Sequence, residues 1–523
     1  MSEFKFSCPG CGQHLAAADA DVGRQIACPA CQSAVVVPAN QPSPPPVPVS
    51  TFSTRSNYVV APQSPRPKSR NLALRFGIAV GSIVLLVLCS FVVWRIVLNH
   101  EVNTQFAKIR AAGYPTSGAE LNTWRAPVPD SENGALVITQ AFALFRTFPD
   151  SRSNLIFHVK TGRTNQWSAE TRELVKAYLQ TNGPALAKAR GALLLSRFRY
   201  PLDFSYGPET LMPHLPKLKQ FADMADLEAA LNTGNGHPDQ WPQAVEFQLK
   251  LGETLDDEPT LISHLVRSAI ISTATKSAER SLNHSKPGEE ACRSLQAAFT
   301  SAGGTNLLPL ALVGERAVTI PIFRLSLQEA NSVSQDDSNF FTPAPPKQQR
   351  FAGKPMPGLW LTGFWERDLN FYLETMDKFI SLAALPAPAS FALTNFSESV
   401  SIVARKRLYI TSALLLPEYK IVSVKEARLQ ANIRLAATAF AVERFRLAKG
   451  RLPGALSELA PQFLDAVPTD PFDGEPLRYH TLPRGYVIYS VGPDGHDAGG
   501  REPPESKPSG DKTHYDITFT VER

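Results

Sequence analysis

The sequence predicts a multi-domain chain: a small β module, one transmembrane helix, and a mostly α ectodomain that ends in an α+β module. Three observations carry that prediction. Phe76–Trp94 reads FGIAVGSIVLLVLCSFVVW, nineteen residues without a charge. At about 1.5 Å per helical residue it reaches about 28 Å, close to a bilayer's hydrocarbon thickness. Four of the six cysteines precede it as two Cys-x2-Cys pairs. At the far end, Tyr515–Val521 alternates apolar and polar residues as a half-buried strand does. The segments are 1–37, 38–71, 72–98, 99–424 and 425–523.

The composition, 43% apolar and 19% charged, is ordinary for packed cores. Residues 1–75 carry seven Lys/Arg against three Asp/Glu, whereas the remaining residues carry 46 against 45. The large part therefore has no global electrostatic preference for nucleic acid or anionic lipid.

In the first segment, Cys8, Cys11, Cys28 and Cys31 form C-x2-C, sixteen residues, C-x2-C. Each pair presents two thiolates from a tight knuckle, and two knuckles close a tetrahedral site at about 2.3 Å Zn–S. Pro9, Gly10, Gly12 and Pro29 supply the turn chemistry, and Phe4-Lys5-Phe6 and Val35-Val36-Val37 read as short flanking strands. So small a segment lacks the apolar area to fold alone, and the metal supplies the folding energy. The pattern resembles a zinc ribbon. His14 is left on the surface, because four thiolates complete the shell. Only Lys5 and Arg24 are basic here, which argues against nucleic acid and for protein contacts.

Residues 38–71 hold a Pro-rich stretch that cannot bury a core and reads as an extended linker. The apolar stretch that follows lacks the polar residues a core helix shows at 3.6 spacing. It also begins too late for a signal peptide. Arg66, Lys68, Arg70 and Arg75 precede it without an acid, and only Cys292 lies beyond it. The basic excess and the thiols both place the N-terminus in the cytoplasm and the C-terminal part outside.

Past the span, Asp130–Asn133 offers capping side chains for a helix carrying Leu136 and Ile138. Further helical patterns cover Thr171–Leu195, the faces Met224/Leu227/Leu231 and Phe247/Leu251/Leu255, and a helix after Pro259. Asp256, Asp257 and Glu258 read as complements to that helix's dipole. The helix pair loosely resembles a tetratricopeptide unit without a regular repeat. Residues 330–358 read as a polar loop, and Trp365, Leu369, Tyr372, Met376 and Phe379 mark another amphipathic helix.

In the last segment, Leu429, Ile433, Ala436 and Phe440 share a helix face, and Gly450 suits the left-handed C′ position. Gly450-Arg451-Leu452-Pro453, Asp470-Pro471-Phe472, Gly492-Pro493-Asp494-Gly495 and Gly499-Gly500 follow. This order of motifs resembles the C-terminal half of the type II secretion major pseudopilin. The resemblance implies a long helix, a small antiparallel sheet and a Gly/Asp-rich loop holding calcium, with Asp494, Asp497 and Asp516 as the corresponding positions. It also implies a bacterial inner membrane as the setting. The competing reading makes Asp494-Gly495 and Asp497 simple turn formers. The chain departs from the family in lacking the processed leader fused to the helix, and in having Leu452 and Phe472 where Tyr and Trp are usual.

No G-x-S-x-G, H-E-x-x-H, P-loop or dinucleotide fingerprint occurs. The expected function is a non-catalytic, single-pass envelope protein that docks protein partners in secretion or assembly. The alternatives are a transmembrane signalling protein acting through the ribbon and a membrane-anchored enzyme with its site in the helical region.

Overall fold

The computed structural model describes residues 3–39, 70–147, 159, 163, 167–234, 240–324, 362–504 and 513–523. Most of the Pro-rich linker, the whole loop expected at 330–358 and residues 505–512 lie outside the described residues. The chain divides into two units, 1–81 and 82–523.

The first unit contains two antiparallel hairpins, β1 (Glu3–Ser7) with β2 (His14–Ala18), and β3 (Gln25–Ala27) with β4 (Ala34–Val36). Each is folded around its cysteine pair in the same way. Cys8 N–H donates to Gln13 O and Gly12 N–H to Cys8 O, while Cys28 N–H donates to Ser33 O and Gln32 N–H to Cys28 O. The position after the second cysteine is left-handed in both, Gly12 at φ +75° and Gln32 at φ +58°. The buried core consists of Cys8, Leu15, Cys28 and Val35 with Phe6 against it. That is too little apolar area to offset the entropy of ordering the segment.

Helix α1 runs unbroken from Arg70 to Ala111. It contains the one straight helix among the described residues that is long and apolar enough to cross a membrane. Leu74, Phe76, Leu85, Leu86 and Ile96 are all exposed, whereas Leu98, Val102 and Ile109 are buried. Each large apolar side chain left in water costs about 1.5–3 kcal/mol, so the first part has the length and character of a candidate membrane span. The helix does not stop at residue 98; its last turns enter the core of the second unit.

That unit is mostly helical: α2 (Gly118–Trp124), α3 (Gly134–Ala143), α4 (Ala169–Thr181), α5 (Gly183–Ala192), α6 (His214–Gly234), α7 (Trp241–Glu253), α8 (Leu261–His284), α9 (Glu289–Gly304), α10 (Leu308–Thr319), α11 (Phe364–Ala383), α12 (Ala392–Lys406), α13 (Ile410–Leu415) and α14 (Glu418–Lys449). Of the capping residues expected at Asp130–Asn133, Asn133 accepts the Ala135 N–H; at α2, Ser117, not expected from the sequence, accepts the Glu120 N–H. The acid run behaves differently from its reading as a dipole complement. Thr260 caps α8 by accepting the Ser263 N–H, and the acids pair with arginine and histidine side chains. Asp256 takes Arg267, Asp257 takes Arg125, and Glu258 takes His214.

Helix α14 is the spine of this unit. Leu429, Ala431, Ile433, Leu435, Ala436, Ala439, Phe440, Val442 and Phe445 are all buried, so it is covered nearly all round rather than on one face. Phe440 stacks on Trp241 of α7 and Phe299 of α9. The approach to α9 is close: a Cβ on Gly303 would lie 2.8 Å from Ile433 Cγ2. Opposite, the sheet β5 (Arg478–Leu482), β6 (Gly485–Ser490), β7 (Ile517–Glu522) covers α14, with β6 in the centre and both pairings antiparallel. The expected 424/425 boundary falls within this one helix. Gly450 closes it at φ +71°, donating to Arg446 O. The following turn is organised by buried Asp470, which accepts from Phe472 N–H (3.0 Å), Val491 N–H (2.8 Å), Ser490 Oγ (2.8 Å) and Arg478 Nη1 (3.0 Å).

Candidate metal centre

The two knuckles bring Cys8, Cys11, Cys28 and Cys31 together, all four Sγ atoms within 4.8 Å of one another. Cys8 Sγ lies 3.8 Å from Cys31 Sγ, and Cys11 Sγ lies 3.7 Å from Cys28 Sγ. A tetrahedron with Zn–S bonds of about 2.3 Å has S···S edges of about 3.8 Å. The residues present fit zinc.

The electrostatics agree with the distances. Gly10 N–H, with Cys11 N–H and Ser33 helping, lowers Cys8 to about 6. The Ser33 hydroxyl, 2.9 Å from Cys31 Sγ, and the Ser33 N–H lower Cys31 as well. Gln13 N–H pulls Cys11 down, but the thiols of Cys31, Cys28 and Cys8 together with burial outweigh it and push it up to about 12. Four sulfurs at this spacing do not all ionise by themselves; a divalent cation at their centre removes the repulsion. Zinc there would supply structural closure, with protein thiolates filling all four positions. Cys8 and Cys28 are buried, and Cys11 and Cys31 are exposed. His14 is not in the cluster; its Nδ1 is 3.0 Å from Ser7 Oγ.

The three C-terminal aspartates do not form such a cluster. Both Asp516 oxygens are occupied, Oδ1 by Ala498 N–H and Oδ2 by Gly500 N–H. Burial nevertheless pushes its pKa up. Asp497 accepts the Gly499 N–H and lies 3.7 Å from Arg478 Nε. Asp494 gathers instead with His496 and His514. Sequence reasoning missed both histidines. The available signal was that His496 stands two residues after Asp494 and His514 two before Asp516.

A cavity of about 260 Å³ lies among Phe142, Tyr200, Leu202, Pro213, His214 and Lys217. His214 stacks on Tyr200 (4.1 Å between ring centroids) and its Nε2 is 3.0 Å from Glu258. Ser263 donates to the same Glu258, so the carboxylate stands between histidine and hydroxyl. This order does not place His214 to take the Ser263 proton, as nucleophile activation requires. No protein-family model, no curated protein and no solved structure matches the chain.

Proposed function

We propose that this chain is a single-pass protein of a bacterial inner membrane, N-terminus cytoplasmic, that docks protein partners. In this reading it carries a zinc ribbon inside and a helical ectodomain outside, ending in a pseudopilin-like module. One observation carries it: α1 passes without a break from an exposed apolar half into the packed core of the helical unit. A partner held on the ectodomain is thereby tied rigidly to the membrane. The resemblance to pseudopilins is supported by the order of long helix, left-handed Gly450, Asp470 turn and three-stranded sheet. The calcium it implies at Asp494, Asp497 and Asp516 has less support, since Asp516 and Asp497 are already engaged. Because α9 and the sheet cover α14, docking through the ectodomain surface is favoured over helix-to-helix assembly.

A second reading, in which an event outside is transmitted to the ribbon, rests on the ribbon and the apolar helix lying in one chain. Alkaline phosphatase fused after Arg523 is expected to be active in a Gram-negative host. An inactive fusion there, with an active one before residue 66, reverses the topology and removes the reading. Cross-linking in intact membranes separates the two functions. Docking predicts ectodomain partners indifferent to Cys8→Ser/Cys28→Ser. Transmission predicts cytoplasmic partners lost with it.

A further inference from the structure

We infer that Asp494, His496 and His514 form a second metal site, for a divalent transition ion such as zinc or nickel rather than calcium. Their ligand atoms all lie within 4.8 Å of one another, and all three residues are exposed. The sequence separates His514 from the other two, so only the fold assembles the set.

The hydrogen bonds prepare both imidazoles as ligands. His496 Nδ1 is 3.1 Å from the Asp494 backbone carbonyl. A carbonyl only accepts, so Nδ1 carries the proton and Nε2 carries the lone pair. His514 Nδ1 is 3.0 Å from Asp494 Oδ2, which fixes the same tautomer on the second ring. A ligating histidine held through its other nitrogen by a carbonyl or a carboxylate is the usual supporting arrangement of a metal site. The rings lie nearly parallel, 4.1 Å between centroids at 16°. An imidazole lone pair lies in the ring plane, so at least one of these exposed rings turns about its side-chain bonds to share an ion with the other.

The donor set selects the ion. Calcium takes six to eight oxygens, and here one carboxylate stands with two imidazoles; Asp494 Oδ1 accepts the His496 N–H at 3.2 Å and Oδ2 faces His514 Nδ1, a side-chain contact that an ion would replace. Two imidazoles suit zinc, copper or nickel. Exposure leaves room for water to complete the shell. An ion bound here staples the Gly492–Gly495 turn to the residues entering β7. The inference does not depend on topology or partners.

The test uses the untagged full chain in detergent, dialysed against zinc at micromolar concentration and then against zinc-free buffer, with metal counted per chain. The wild type is expected to keep a second equivalent beyond the ribbon's. His496→Ala and His514→Ala are each expected to weaken that equivalent by more than about 100-fold, the upper end of what loss of a mere supporting group costs. Cys8→Ser/Cys11→Ser is expected to remove the ribbon's zinc and leave the second. Nickel is expected to raise the melting temperature of the wild type but not of His496→Ala/His514→Ala, and calcium to raise neither. A wild type holding one equivalent, a second zinc retained by the double histidine variant, or a calcium response abolished by the same variant would each overturn the assignment.

Discussion

Arg95 of α1 donates to Glu366 of α11 at 2.6 Å, with both side chains largely buried. Arg95 immediately follows the uncharged stretch, so the ion pair fastens the apolar helix to the helical unit where the two characters meet. One turn on, Leu98 packs against Gly363: a Cβ there would lie 2.3 Å from Leu98 Cδ1, and its φ of +59° already favours glycine.

Glu366→Ala is expected to cost about 2 kcal/mol, the range for a charge-assisted hydrogen bond whose partner is left behind. Thermal melting of the detergent-solubilised protein measures it, and a double-mutant cycle with Arg95→Ala isolates the coupling. A coupling near zero would show that the pair does not fasten the helix.

The matched knuckles make the ribbon's backbone testable. Gly12 has open space for a Cβ but sits at φ +75°. Gly12→Ala therefore probes backbone strain alone, about 1 kcal/mol. Because folding and metal binding are one equilibrium here, zinc affinity is expected to fall about fivefold. Gln32→Gly is expected to move it a few tenths of a kcal/mol the other way, the relief of strain being partly offset by entropy. Competition with a chromophoric chelator reads both.

Strand β7 is held on two sides. β6 pairs with it, and Asn283 of α8 bonds its outer edge, donating to Thr520 O and accepting the Glu522 N–H, both at 2.7 Å. Asn283→Ala is expected to cost about 1–2 kcal/mol. Truncation after Thr513 removes Ile517, Phe519 and Val521 from the core, about 5–8 kcal/mol, and is expected to unfold the region rather than trim it. Limited proteolysis distinguishes the two, and a truncated chain as resistant as the intact one would contradict the packing.

Burial pushes the Glu279 carboxyl up to about 7, against the Thr520 N–H and Arg163, which pull it down. A carboxyl with a raised folded pKa holds a proton that the unfolded chain has released. Stability is therefore expected to fall as pH rises from about 4.5 to about 7, because in that window the folded state binds more protons. Glu279→Gln keeps the acceptor for Thr520 and is expected to flatten that slope, making the variant the more stable form at pH 8. Urea melts at pH 5 and pH 8 check the sign.

The sequence by itself determined the parts whose physics is local. Ligand spacing within short hairpins specifies the Cys8/Cys11/Cys28/Cys31 tetrad. An uncharged run of sufficient length specifies the apolar helix, and capping residues such as Asn133 and Gly450 mark helix ends. Only the tertiary structure decided that the middle of α14 is buried nearly all round, because its second face is covered by strands arriving from beyond Gly450. Partners distant in the chain likewise decided that Asp257 and Glu258 meet Arg125 and His214, while Asp256 meets Arg267 within the helix that follows. The same holds for Asp494, which meets His514 and not Asp516. A side chain's periodicity reports which way it points along its own element; what stands opposite depends on chain crossings that no local pattern encodes.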